Sequence, residues 1–302
     1  MKTLRNQSIF VCLFLLVFIP LGAESLPPPS PAGGNYLVLD GVDDHAILDF
    51  ETFGLLIPKD ADEFTFEAWV YPTTLPNRDV HTLVLSQQVM MDVTGHDHQG
   101  FGGVKAVLNL SKGDFMIQGL AHLARDVGHT IMSLAPLKFP ANQWNHIAFQ
   151  GGKGRKTTVI VNDFARISGG EKGITLAHDA DKITSLGGHP QDFRLGGCDG
   201  KLPFHNKLHS WGYFAGYIDE VRISKVIRYN AVKRGFTPQK KFKNDAKTVA
   251  LWHFDEARGT RVFSDTSGNA YHLVGKNGAQ TDGKLSVEAA GKLATIWGRL
   301  KQ

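Results

Sequence analysis

Residues 64–72 read FTFEAWVYP. Apolar and polar side chains alternate through the first half of this stretch, and aromatic and β-branched residues fill most of the rest, which is typical of a β-strand. Pro72 ends the run, because proline lacks the N–H that a strand interior needs. Similar runs recur at residues 36–39, 81–85, 106–110, 115–117, 144–149, 157–161, 193–195 and 213–224. We therefore expect a protein built from many short strands.

The segments between these runs are rich in turn-forming residues. Asp40-Gly41, Gly151-Gly152 and Asn162-Asp163 tolerate the left-handed backbone of a tight turn. A parallel sheet would need helices between its strands, and the sequence lacks helical periodicity there. The pattern predicts an all-β, antiparallel sandwich. A helical stripe is found only in residues 285–302, where we expect an amphipathic tail with a short helix.

The first 23 residues have the pattern of an export signal. Lys2 and Arg5 precede an apolar run at residues 9–21, and Gly22-Ala23 supplies small residues for cleavage. The run is shorter than the roughly 20 residues that span a bilayer. We expect a secreted or periplasmic protein whose mature chain has no membrane span; an uncleaved membrane anchor is the alternative. Residues 24–35, rich in proline and glycine, are expected to form a tether.

Composition excludes several classes of protein. Hydrophobic residues make up 42% of the chain and charged residues 21%, which is ordinary for a folded protein. Without the signal, 31 basic residues stand against 29 acidic ones, too small an excess to predict nucleic-acid binding. Cys12 lies in the signal and leaves Cys198 alone, so the mature chain can form no internal disulfide.

The C-terminal third divides into a basic stretch and a further strand-rich piece. Residues 225–247 hold eight lysines or arginines and one acid, Asp245. We expect a solvated connector there, with binding to an acidic polymer as the alternative. Residues 249–254 are expected to form a strand and residues 265–269 a turn, and the piece at 248–278 is too small to form a core alone. We expect residues 231–284 to add strands to the main sandwich.

Several stretches, in order, resemble motifs of laminin G-like (LamG-like) jelly-roll domains in the concanavalin A-like lectin/glucanase superfamily. They are YLVLDGVDD at 36–44, FTFEAWVYP at 64–72, QWNHIA at 143–148, VIVN at 159–162, FAGYIDEVRIS at 214–224, LWHFDE at 251–256 and DTSGN at 265–269. Asp163 replaces the glycine usual after the fourth motif. The resemblance implies a jelly roll of two packed antiparallel sheets over residues 36–230. It does not fix a ligand, because the fold hosts lectins, adhesion modules and glycosidases.

An acidic loop is the candidate metal site. Asp40, Asp43 and Asp44 follow the first strand run closely. Ca²⁺ takes six to eight oxygen ligands, and carboxylates with backbone carbonyls supply them. Related domains often hold a structural Ca²⁺ between this loop and the closing strand, so the resemblance adds Asp219. The alternative is that these aspartates make Asx turns and cap backbone N–H groups.

The candidate ligand site precedes the closing strand. A sugar site needs an aromatic ring for C–H faces and polar groups for hydroxyls. Asn206, His209, Trp211 and Tyr213 offer both, although Trp211 could instead fill the edge of the sandwich. We expect a non-catalytic module that binds carbohydrate on a cell surface or in the extracellular matrix.

Two other functions remain open. A protein-binding adhesion or scaffold module is the first alternative. A glycoside hydrolase is the second, because Glu67 and Glu220 could supply the two carboxyl groups that such hydrolysis needs. The E-x-D-x-x-E strand of the superfamily's glucanases is absent from the sequence, which disfavours catalysis and favours structural roles for both glutamates.

Overall fold

The computed structural model describes residues 29–74, 81–94, 115–122, 130–137, 141–167, 192–197, 201–204, 207–230 and 237–283. Within these ranges the regular structure is strand, apart from a single short helix, α1, at Phe50–Phe53. The predicted all-β class is therefore confirmed. The predicted export signal, the run at 106–110 and the tail at 285–302 lie outside the described residues. No helix in the described part is long and apolar enough to cross a membrane.

The first sheet has eight strands in the described ranges. In spatial order seven of them are β10, β9, β8, β3, β14, β1 and β18, and the eighth, β15, pairs with β14. All these pairs are antiparallel. The bounds are β1 Tyr36–Asp40, β3 Glu63–Pro72, β8 Asn145–Gly152, β9 Arg155–Val161, β10 Phe164–Ile167, β14 Ala215–Ser224, β15 Thr248–Trp252 and β18 Gln280–Asp282.

The second sheet has ten strands in the described ranges. Eight of them follow the order β16, β17, β2, β11, β4, β5, β6 and β7, while β13 pairs with β4 and β12 with β13. The bounds are β2 His45–Leu48, β4 His81–Ser86, β5 Val89–Thr94, β6 Phe115–His122, β7 Thr130–Leu137, β11 Phe193–Leu195, β12 Lys201–Phe204, β13 Lys207–Tyr213, β16 Val262–Phe263 and β17 Leu273–Lys276. The β13–β4 pair is parallel, which departs from the antiparallel prediction; the long stretch between these strands permits the crossover that parallel pairing requires.

The core lies between the two sheets. Phe64, Phe66, Ala68 and Val70 alternate along β3 and point inward, and all four are buried. The opposite sheet contributes Phe193 of β11, whose ring stacks on Trp252 of β15 at 5.4 Å between centroids and 13° between planes.

The C-terminal residues complete both sheets. Strand β15 pairs with β14 and β18 with β1, whereas β17 pairs with β2 of the second sheet. Trp252, in this C-terminal part, is fully buried in the core. Residues 248–282 are therefore structural parts of the sandwich rather than an appendage to it.

One irregularity in β14 decides where its charged side chains point. Asp219 pairs with Trp69 and Arg222 with Glu67, so β14 holds one residue more than β3 between these positions. Such a bulge adds a residue to one strand and changes the direction of its side chains. Glu220 accommodates it with φ at +52°, a rare value for a residue other than glycine. Asp219 and Glu220 consequently make polar contacts on the outer face of the first sheet.

Candidate functional site

The outer face of the first sheet is covered by residues 225–247, which we call the covering segment and which is described at 225–230 and 237–247. The Gln150 amide donates to the Tyr229 carbonyl and accepts from the Tyr229 N–H, at 2.8 and 3.1 Å. Farther along, the Trp69 indole donates to the Gln239 carbonyl at 3.0 Å. Lys240, Lys241 and Lys243 are exposed, as expected of a solvated connector. Polar side chains of the sheet nevertheless bind the backbone of the segment and hold it on this face.

A buried charge network lies beneath the covering segment. Glu67 Oε1 accepts from Arg222 Nε at 2.8 Å and from Arg222 Nη2 at 2.7 Å. Glu67 Oε2 lies 3.2 Å from His146 Nε2 and accepts from the Tyr229 hydroxyl at 2.5 Å. Burial alone would raise the pKa of Glu67, but the His146 hydrogen bond and the Arg222 charge hold it below its ordinary value. The network joins three strands to the covering segment.

The two glutamates considered for hydrolysis are both structural. Glu67 and Glu220 are each 0% exposed. Glu220 Oε2 accepts from the Phe242 N–H at 2.5 Å, and its Oε1 lies 2.6 Å from His253 Nδ1. A glycoside hydrolase needs two carboxyl groups facing a substrate across a cleft. These two are enclosed by the sheet and the covering segment, so they do not form such a pair.

Asp219 is separated from the acidic loop with which the resemblance grouped it. In the β1–β14 register Asp40 lies opposite Ala215, four residues from Asp219. At about 3.3 Å per residue, four residues correspond to roughly 13 Å along the strand. Asp219 instead accepts a hydrogen bond from the Ser30 hydroxyl. Burial, followed by the charge of Glu220, raises the pKa of Asp219 well above its ordinary value.

The acidic loop brings its own three carboxylates together. Oxygens of Asp40, Asp43 and Asp44 lie within 4.8 Å of one another. Asp40 Oδ1 accepts from the Val42 N–H at 2.7 Å, the contact of an Asx turn. Asp44 Oδ1 accepts from the Gly278 N–H at 2.5 Å. The carboxylates therefore fasten the loop to its own backbone and to the C-terminal residues, while Asp40 and Asp43 stay exposed.

A groove opens between the β8–β9 hairpin and the covering segment. Its volume is about 670 Å³. The lining residues are Glu63, Gln150, Gly154, Arg155, Lys156, Thr158, Ile227, Arg228, Tyr229 and Asn230. Thr157 packs inward near Phe64, so alternation along β9 turns its neighbours Lys156 and Thr158 to the outer face. The sheet forms the floor of the groove, and residues 227–230 form one wall.

The groove combines charged, amide and aromatic groups. Tyr229 is half-buried and places its ring between the groove and the charge network, with its hydroxyl donating to Glu67. Burial and the neighbouring Glu67 charge raise the pKa of this hydroxyl strongly, so it remains a donor. Asn230 and Lys156 are exposed at the rim.

A second group of aromatic rings on the outer face does not form a comparable platform. Tyr36, Tyr71, Trp144 and Tyr217 pack in a closed cycle with ring centroids 5.0–5.7 Å apart. Tyr36 and Tyr71 are buried, and burial raises the pKa of the Tyr36 hydroxyl to about 12. The rings are tilted or edge-on to one another, an arrangement typical of aromatic packing. They support the sheet.

The four residues predicted to bind ligand are only partly described, and that prediction stays untested. Asn206 lies outside the described residues, and His209 and Trp211 are described only as backbone of β13. The ring of Tyr213 is half-buried, with its centroid 6.0 Å from that of His45. Strand β13 pairs with β4 of the second sheet, whereas the groove lies on the first sheet.

Comparisons with known proteins give structural neighbours only. No protein-family profile matches the chain, and no curated protein matches it. Among solved structures, the heptameric SAP-like pentraxin from Limulus polyphemus is 9% identical, with a TM-score of 0.38 over 66% of this chain and 79% of that one. Domains LG4-5 of the mouse laminin α1 chain are 11% identical, with a TM-score of 0.39 over 69% of this chain and 45% of that one.

A third neighbour carries a saccharide in its structure. The CBM40 domain of the Ruminococcus gnavus IT-sialidase, bound to α2,3-sialyllactose, is 13% identical, with a TM-score of 0.35 over 63% of this chain and 90% of that one. This chain spans less than half of the laminin fragment. Laminin LG domains are among the structural neighbours. The sandwich assignment itself rests on the two sheets described above.

Proposed function

We propose that this chain is a non-catalytic module of an exported protein and that it binds carbohydrate in the groove beside the β8–β9 hairpin. The observation that carries the proposal is the groove itself, of about 670 Å³, within the range of about 300–1,000 Å³ typical of ligand sites. The pattern of residues 1–23 supports export.

The lining of the groove has the chemistry that a saccharide requires. Sugar hydroxyls need donors and acceptors, and the Asn230 amide, the Thr158 hydroxyl and the Glu63 carboxylate line the groove. The half-buried Tyr229 ring supplies an apolar surface for C–H groups. Because the sheet floor and the Gln150–Tyr229 hydrogen bonds hold one wall in place, binding would not have to order that wall.

A glycan array tests the proposal. We expect the full chain to bind at least one class of glycan, and Asn230→Trp to lose that binding because an indole would occupy the groove. Val262→Trp is the matched control: Val262 is 53% exposed on β16 of the second sheet, where a bulky side chain has room. The absence of any glycan signal, or equal binding by Asn230→Trp, contradicts the proposal.

We further propose that the acidic loop holds a structural Ca²⁺. The three carboxylates lie close enough to share an ion, and the exposed Asp43 leaves a side open for other oxygen ligands. Calcium that binds only the folded state stabilises it, by about 1.4 kcal/mol at ten times the dissociation constant. We expect CaCl₂ to raise the melting temperature relative to EDTA by about 3–6 °C, and Asp43→Asn to remove most of that rise. An EDTA-insensitive midpoint contradicts the site.

A further inference from the structure

The charges around the groove do not cancel. Three cations line it, Arg155, Lys156 and Arg228. Glu63 lines it too, and Asp245 lies behind Arg228. One net positive charge therefore remains, a balance suited to a single negative charge on a ligand.

The Arg228 guanidinium forms hydrogen bonds within the protein. Its Nη1 and Nη2 donate to the two Asp245 oxygens at 2.5 and 2.9 Å, and its Nε donates to the Ser224 hydroxyl at 2.9 Å. The Arg228 hydrogen bonds hold the pKa of Asp245 far below its ordinary value. Both members of this pair remain charged at neutral pH. The Arg228 Nε, Nη1 and Nη2 groups already donate hydrogen bonds to Ser224 and Asp245.

Arg155 and Lys156 are available to a ligand. The Arg155 side chain is 66% exposed, and its Nε lies 3.8 Å from Glu63 Oε1, beyond hydrogen-bond distance. Lys156 is exposed and has no ion-pair partner in the described part of the chain. Adjacent residues of a strand normally point to opposite faces. Arg155 and Lys156 nevertheless both line the groove, because Arg155 is the first residue of β9 and lies beside the hairpin turn.

We propose that the groove binds a saccharide bearing a carboxylate, which Arg155 and Lys156 recognise. This inference rests on the proposed function and names its ligand class. A guanidinium matches the two oxygens of a carboxylate in a planar, bidentate geometry. Glu63 Oε2 already accepts from the Ile227 N–H at 3.1 Å, and the carboxylate can accept further hydrogen bonds from sugar hydroxyls but cannot donate to the ligand. The same Glu63 charge disfavours densely sulfated chains, whose extra negative charges would lie against it.

Isothermal titration calorimetry on the full chain tests the ligand class. The probes are galacturonic acid and α2,3-sialyllactose, each with a single carboxylate, and the methyl ester of each acid. The first acid tests a uronate and the second a sialate. We expect one of the two acids to bind. Its own methyl ester is expected to bind at least about tenfold more weakly, because it lacks the charge that strengthens the hydrogen bonds to Arg155 and Lys156.

Variants locate the interaction. Arg155→Ala and Lys156→Ala are each expected to weaken binding of the acid at least about tenfold, and Lys156→Arg to retain most of it. Arg261→Ala and Lys276→Ala are the matched controls, since both are exposed next to or on β17 of the second sheet, and they are expected to change binding less than twofold.

The failures of the two proposals differ. If the methyl ester binds as tightly as the acid and Asn230→Trp abolishes both, the groove binds sugars but the charge inference is overturned. If no saccharide binds, acidic or neutral, both are overturned. Tighter binding of dextran sulfate than of either acid also overturns the inference, as does an equal loss in the Lys276→Ala control.

Discussion

Replacing Arg222 with alanine is expected to lower the free energy of unfolding by about 3–5 kcal/mol, the cost of leaving a buried charge without its partner. Glu67 is 0% exposed, and both of its short contacts on Oε1 come from Arg222. The substitution would also remove the hydrogen bond from Arg222 to the Lys243 carbonyl. The buried face of β14 would then lose a contact with the covering segment as well as its charge balance.

Urea denaturation with the tryptophan signal measures this loss. Lys241→Ala is the control, because the Lys241–Asp255 pair is as short, at 2.6 Å, but its side chains are 50% and 39% exposed. Exposed pairs contribute about 0–1 kcal/mol. If Arg222→Ala costs no more than Lys241→Ala, Glu67 is not held in a buried network and the covering segment lies elsewhere.

Asp219→Asn is expected to stabilise the protein at neutral pH. The pKa of Asp219 is raised in the folded state, chiefly by burial, so its carboxyl is protonated on folding at pH values where the unfolded chain is ionised. The contribution of this group to stability is complete below the unfolded pKa of about 4. It is lost as pH rises from there toward the folded pKa, by up to about 1.4 kcal/mol for each pH unit.

A series of melting curves between pH 4 and pH 7 tests whether Asp219→Asn stabilises or destabilises the protein as pH rises. In Asp219→Asn the amide oxygen would accept from the Glu220 N–H and the amide NH₂ would donate to the Ser30 hydroxyl. No charge would then lie beside Glu220. We expect the wild-type protein and Asp219→Asn to have similar melting temperatures near pH 4. Above pH 4, the melting temperature of Asp219→Asn is expected to rise progressively relative to that of the wild type. Asp43→Asn, at an exposed carboxyl of the acidic loop, serves as the control in EDTA. A wild-type advantage that grows with pH would refute the buried, protonated carboxyl.

Local pattern was sufficient to predict the class of fold and many of its strands, although β2, β5, β7, β12 and β18 were not among the predicted runs. The run at 64–72 is β3 with bounds shifted by one residue, and the run at 213–224 contains β14. The structure turns Phe64, Phe66, Ala68 and Val70 into the core, because a strand turns every second side chain to the same face. The outer residues of β3 are buried as well, since the covering segment lies over them.

The groove could not be predicted, because its walls are distant in the chain. Arg155 and Asn230 are separated by more than seventy residues, and only the docking of the covering segment brings them to one site. Basic residues at 153–156 and 225–247 were visible as separate clusters, but composition alone does not say which face of a sheet a connector crosses. The Gln150 amide, which binds the Tyr229 backbone, gave no sequence signal of that role.

The grouping of Asp219 with the acidic loop failed for a different reason. Motif similarity placed the DGVDD loop and the IDE stretch in one site, but the β1–β14 register places Asp40 opposite Ala215. The bulge at Asp219 and Glu220 depends on pairing with β3, a long-range property that spacing within β14 does not encode. Register therefore decided the position of the carboxyl, and the sequence motif did not.

The most direct test of the groove as the binding site is amide chemical-shift mapping of the ¹⁵N-labelled full chain during titration with galacturonic acid and, separately, α2,3-sialyllactose. The account predicts that the acid that binds shifts the amides of residues 153–158 and 227–230 together, since these two segments form facing walls. Shifts confined to the acidic loop at 40–44, or to β13 and Tyr213 on the second sheet, would contradict it.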